Sequence, residues 1–80
     1  MNIDFNITLD KEYVAQQEFK SNQAQVILID DDLQSKRMKV LVEIGGNNSF
    51  RYWVYVLDES NYTLDWTDEM ITNAVKNYFA

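Results

Sequence analysis

The sequence predicts a small α+β domain: an antiparallel sheet of three to four strands with one C-terminal helix laid on its apolar face. Three observations carry this. Apolar and polar residues alternate at Ile3–Leu9, and Met38, Val40, Val42 and Ile44 recur at every second position within Lys36–Ile44, the period of strands with one buried face. A Gly45-Gly46-Asn47-Asn48 stretch between two such segments is a strong hairpin loop, because Gly and Asn tolerate the positive φ that tight turns need. Past residue 67 the apolar period changes from two to that of a helix.

The N-terminal strand sets Ile3, Phe5, Ile7 and Leu9 on one side and Asn2, Asp4, Asn6 and Thr8 on the other. The segment from Asp10 to Asn22 carries two readings. Asp10 can cap a short helix over Lys11–Lys20 bearing Tyr13, Val14, Ala15 and Phe19, and Tyr13, Ala15, Gln17 and Phe19 can also alternate as a strand. The helix is the preferred one. Gln25-Val26-Ile27-Leu28-Ile29 is a β-branched run ended by Asp30-Asp31-Asp32, which opens a three-strand meander over Ala24–Leu57.

Within that meander, an odd-numbered loop between Ile44 and Phe50 sets Met38, Val40, Val42 and Ile44 beside Val56, Val54, Tyr52 and Phe50. The opposite face then pairs Glu43 with Arg51, Leu41 with Trp53 and Lys39 with Tyr55, all favourable cross-strand neighbours. An even loop sets Val42 against Arg51 and breaks both patterns. The helix spans about Thr67–Phe79, with Thr67 as N-cap, Asp68 and Glu69 in the first turn, and Met70, Ile71, Ala74, Val75, Tyr78 and Phe79 as its stripe.

Composition bounds the function. The 80 residues make one domain, with no Cys and no His, so disulfides and the commonest nucleophile, general base and transition-metal ligands are all excluded. No basic, apolar leader opens the chain and no apolar run is long enough to span a bilayer, so a cytoplasmic setting is the expectation. A net charge of −6 argues against broad nucleic-acid binding, since phosphate contacts by Lys and Arg supply most such affinity.

Two surfaces are candidate sites. Eight of the thirteen acidic residues lie at Asp30–Asp32 and from Asp58 to Glu69, and a meander brings these stretches to one end. Helix and turn preferences account for Asp68, Glu69 and Asp65, which leaves Asp30, Asp31, Asp32, Asp58 and Glu59 as an acidic pole suited to a basic partner protein. Lys36 and Arg37 sit at the same edge and blunt it. The rival surface is the second sheet face, with Leu41, Trp53, Tyr55, Leu57, Lys39 and Arg51, alongside Ile27 and Ile29. It is too apolar to stand in water and suits the N-terminal helix, a partner or a second copy.

The leading expectation is therefore a non-enzymatic interaction module, of adaptor or inhibitor type, docking through the acidic pole. Small acidic proteins of mobile elements offer an analogy, and only that. A homo-oligomeric assembly subunit joined by the aromatic face is the alternative. Weak divalent-cation binding at Asp30–Asp32 and single-stranded nucleic-acid binding at Trp53 and Tyr55 rank third: no EF-hand spacing follows Asp30, and no RNA-recognition signature surrounds Phe50-Arg51-Tyr52. No catalytic residue, metal site or cofactor is expected.

Overall fold

The computed structural model describes the backbone of residues 2–15 and 19–80 and the side chains of residues 5–14 and 19–80. Four strands follow one another as β1 (Asn2–Ala15), β2 (Phe19–Asp32), β3 (Arg37–Ile44) and β4 (Arg51–Leu57), and the chain closes with α1 (Asp68–Tyr78). All pair antiparallel in the order β1-β2-β3-β4, so the sheet is a single meander with the N-terminal strand as its fourth member.

The inner face buries what the alternation predicted. Ile7, Leu9, Ala24, Val26, Met38, Val40, Val42, Ile44 and Val54 form the core with Ile71 and Val75 from α1. Those two helical residues stand four apart, one turn along a single face. Thr67 caps the helix by accepting from the Met70 N–H at 3.4 Å, with Asp68 and Glu69 in the first turn and Lys76 in the last. Lys76 Nζ also reaches Asp10 of β1 at 3.6 Å, so the helix is tied to the far edge of the sheet.

The expected helix over Lys11–Lys20 is not formed. Lys11–Ala15 belongs to β1 and Phe19–Lys20 to β2, while residues 16–18 lie outside the described residues. Pairing and aromatic burial outweigh the capping potential of Asp10. Tyr13 pairs with Ser21 and Ala15 with Phe19, and the Phe19 ring stacks on Phe50 at 4.5 Å between centroids. Tyr13 meets Phe50, Tyr52 and Phe79 edge-on. Between Thr8↔Gln23 and Tyr13↔Ser21 the strand β1 carries surplus residues, which tuck Leu9 into the core and leave Asp10, Lys11 and Glu12 in solvent.

Two further bulges decide where the candidate residues point. Val26 pairs with Val42 but Leu28 with Leu41, so Ile27 is extra. Likewise Lys39 pairs with Tyr55 but Met38 with Leu57, so Val56 is extra. Each insertion reverses the alternation beyond it. Ile29 therefore packs with the core and not on the outer face, and Leu28 takes the outer position beside Leu41. Leu57, expected on the outer face, is 2% exposed in the core. Asp31, opposite the buried Met38, is turned to the inner side, away from Asp30 and Asp32.

That reversal gives Asp31 a structural task. Its Oδ1 accepts from the Tyr62 hydroxyl at 2.6 Å and its Oδ2 from Trp66 Nε1 at 2.9 Å, which fastens the 58–67 connection to the end of β2. The bond to Asp31 pushes the Tyr62 hydroxyl up to about 12. Asp31→Ala is expected to free this connection, lower the melting temperature by roughly 5 °C and return Tyr62 toward the ordinary value of about 10. Thermal melting with an ultraviolet tyrosine titration measures both effects; an unchanged Tyr62 titration refutes the latch.

Candidate interaction surfaces

The β2–β3 turn and the end of β4 do lie at one end of the sheet, as the meander required. Asp30, Asp32, Asp58 and Glu59 are thus brought together, with Asp31 at the same end but turned to the inner side, and each is already engaged. Asp30 meets Lys39 Nζ at 3.9 Å and Glu59 meets the Arg37 guanidinium at 3.6 Å. Asp32 Oδ1 accepts the Gln34 and Ser35 N–H groups at 3.0 and 3.3 Å, closing the β2–β3 turn. Asp58 Oδ1 accepts the Ser60 N–H at 2.9 Å and hydroxyl at 2.5 Å, while its own N–H donates to Asn61 Oδ1 at 2.7 Å.

These bonds favour the ionised form. Ser35 holds Asp32 below the ordinary carboxylate value, and Ser60 does the same for Asp58, each assisted by backbone N–H donors. Both groups stay charged at neutral pH and serve as turn caps. Neither has the raised pKa that a carboxylic general acid needs. Among the described residues no cluster of three or more carboxylates is placed to hold a metal ion, and no helix is long and apolar enough to cross a membrane.

The outer sheet face is arranged differently. Glu43–Arg51, Leu41–Trp53 and Lys39–Tyr55 are direct cross-strand pairs, with Leu28 beyond Leu41. Arg51 Nε donates to the largely buried Glu43 Oε2 at 2.8 Å, a charge-assisted bond that stiffens the β3–β4 pairing. Lys39 Nζ lies 4.7 Å from the centre of the Trp53 ring and 5.9 Å from that of Tyr55, covering both rings in part. Even so, Trp53 is 44% and Tyr55 58% exposed, while α1 packs on the opposite face through Ile71 and Val75. Beside them is a notch of about 140 Å³ lined by Asp30, Asp32, Ser35, Arg37, Lys39 and Tyr55.

No family model, curated protein or solved structure matches this chain. Of the outer-face candidates, Leu41, Trp53, Tyr55, Lys39 and Arg51 share that face and Leu57 does not. Leu28 was missed, its only signal being membership of a β-branched run. The latch at Asp31 was missed too. Its one trace is the pair of hydrogen-donating aromatics, Tyr62 and Trp66, four residues apart in a connection whose other residues, Leu64 apart, are polar.

The other perturbed group is half-buried among aromatic rings. The Tyr13 and Tyr52 hydroxyls share a hydrogen bond amid Phe50, Phe79 and Tyr78, and that bond, with desolvation, pushes Tyr13 up to about 12. The folded state thus favours the protonated phenol, a stabilisation complete below pH 10 and lost as pH rises from 10 to 12. Urea midpoints are expected to hold to about pH 10 and then fall, with a smaller fall in Tyr13→Phe. Equal alkaline losses in both proteins would exclude Tyr13 as a contributor.

Proposed function

We propose that this chain is a non-enzymatic protein-interaction module whose docking surface is the outer face of β2–β4, centred on Trp53. The observation that carries this is the pair of large aromatics, Trp53 and Tyr55, standing exposed on a rigid sheet with Leu41 and Leu28 beside them and ion pairs at the margin. An apolar, aromatic centre with a polar rim is the anatomy of a binding hot spot. Chains that leave such a patch in water expose an aggregation hazard, which a partner removes.

The ion pairs also shape the partner. Arg37, Lys39 and Arg51 are matched on this side by Glu59, Asp30 and Glu43, so the face presents no strong field of either sign. It suits a protein surface with an apolar centre better than a phosphate backbone. The acidic end supports a second reading, docking on a basic protein, because Leu33 and Leu64 stand exposed in the two segments that Asp31 ties together.

Affinity capture from the native cell extract discriminates the two. Bait carrying Trp53→Ser should lose the captured protein, whereas bait carrying Glu59→Lys should retain it. The reverse pattern assigns docking to the acidic end.

A further inference from the structure

We propose that the occupant of the outer face is a second copy of this chain, joined about a two-fold axis with Arg51 of each copy entering the notch of the other. This rests on the reading of the outer face as a docking surface and names its partner. The first argument is charge. The protein carries −6, so two copies repel over most orientations. On the outer face Arg37, Lys39 and Arg51 share the surface with Asp30, Asp32 and Glu43, and the signs balance. A second acidic chain can approach this face with little repulsion, while a basic partner gains nothing by choosing it over the acidic end.

The second argument is the layout of those charges. Register places Arg51 opposite Glu43 at one end of β4, and Asp30 opposite Lys39 toward the other end of β2. Each of the two diagonally opposed corners thus holds both signs, Arg51 with Glu43 and Asp30 with Lys39, and Leu41 and Trp53 lie between them. A two-fold axis lying over that centre sets each Arg51 against the corner that holds Asp30 in the other copy, and one such contact generates its equal. Arg51 commits Nε to Glu43 at 2.8 Å, and a guanidinium has further Nη donors for a second carboxylate.

The notch suits that group chemically. The recess of about 140 Å³ holds Asp30 and Asp32 together with Arg37, Lys39, Ser35 and the Tyr55 ring; Asp32 caps the β2–β3 turn, and Asp30, paired with Lys39 at a looser 3.9 Å, is the carboxylate that an incoming guanidinium meets beside the aromatic ring. In that arrangement Trp53 and Leu41 of the two copies pack at the centre and the ion pairs form the rim that excludes water.

The test is sedimentation velocity on the full chain, on Arg51→Glu, on Asp30→Lys and on an equimolar mixture of the two variants. Both side chains are about half exposed, at 45% and 53%, and thermal melts verify that the variants fold. The expected result is a dimer for the native chain at about 100 μM and at least roughly tenfold weaker association for each variant. The mixture should restore the dimer. One contact then joins Arg51 of the Asp30→Lys chain to the intact notch of its mate, and the other joins the two introduced side chains, whose charges are opposite. Failure of the mixture to associate overturns the Arg51–Asp30 contact, and a native chain that stays monomeric overturns the second copy as occupant. If that monomer still loses its captured protein on Trp53→Ser, the docking face stands with a different occupant. If capture is unaffected, the docking face falls as well.

Discussion

Replacing Gly45 by alanine is expected to lower the stability of the fold by about 3 kcal/mol, more than the same change at Gly46. Two costs combine. Gly45 has φ +62°, a left-handed conformation that costs an L-residue about 1 kcal/mol or more. A Cβ there would also lie 2.6 Å from Phe19 Cζ and 3.0 Å from Ser21 Cβ, so the tip of the Phe19 ring must move against its stack on Phe50 and Ser21 must give slightly, adding a further 1–3 kcal/mol in order of magnitude. Gly46 is the internal control. It too has positive φ, +69°, but nothing lies within 4 Å of its would-be Cβ, so Gly46→Ala should cost only about 1 kcal/mol. Urea unfolding of the two variants isolates the contribution of Phe19 pressing on the loop. Equal midpoints would show that the hairpin does not press on the loop.

The second large effect is on binding. Trp53→Ser is expected to weaken the partner complex by about 100-fold, the scale of losing a central aromatic anchor, while changing the melting temperature by no more than about 5 °C. The separation follows from position. Trp53 is nearly half exposed, makes its cross-strand contact with Leu41, and lies on the face opposite the core of Val40, Val42, Ile71 and Val75. Tyr55→Ser should fall between Trp53→Ser and the native chain, since Tyr55 carries less apolar area and lies farther from Lys39. Titration calorimetry with the captured partner and a melt of each variant measure the two quantities separately.

Much of this geometry was legible in the residues, and the exceptions share a cause. The β3–β4 register followed from requiring Glu43 to meet Arg51 and Val42 to avoid it, and the structure has those pairs. The Thr67 cap and the Ile71–Val75 stripe followed from local chemistry that needs no tertiary information. What escaped were the bulges at Ile27 and Val56, because one surplus residue in a run of Val, Ile, Leu and Tyr leaves no compositional mark. Those two insertions moved Leu57 and Ile29 inward, Leu28 outward, and Asp31 out of the pole into its contacts with Tyr62 and Trp66. The strand pairing of Tyr13 and Phe19 escaped for another reason. It depends on Phe50, Tyr52 and Phe79, thirty or more residues away, which no local window contains.

The acidic pole was legible as a location and not as a chemistry. Proximity of Asp30, Asp32, Asp58 and Glu59 followed from the strand directions alone, while their engagement by Lys39, Ser35, Ser60 and Arg37 depends on turn geometry. A carboxylate that holds a turn together is costly to redirect to a partner. The Trp53 and Tyr55 rings are covered only in part by Lys39, and that difference supports the proposed docking on the outer face.

Ionic strength tests the choice most directly. The dissociation constant of the complex with the captured partner, measured by calorimetry from about 0.05 to about 0.5 M NaCl, should change by less than about threefold if the neutral face around Trp53 forms the contact. A weakening of about tenfold or more over that range would contradict it and return the interaction to the acidic end.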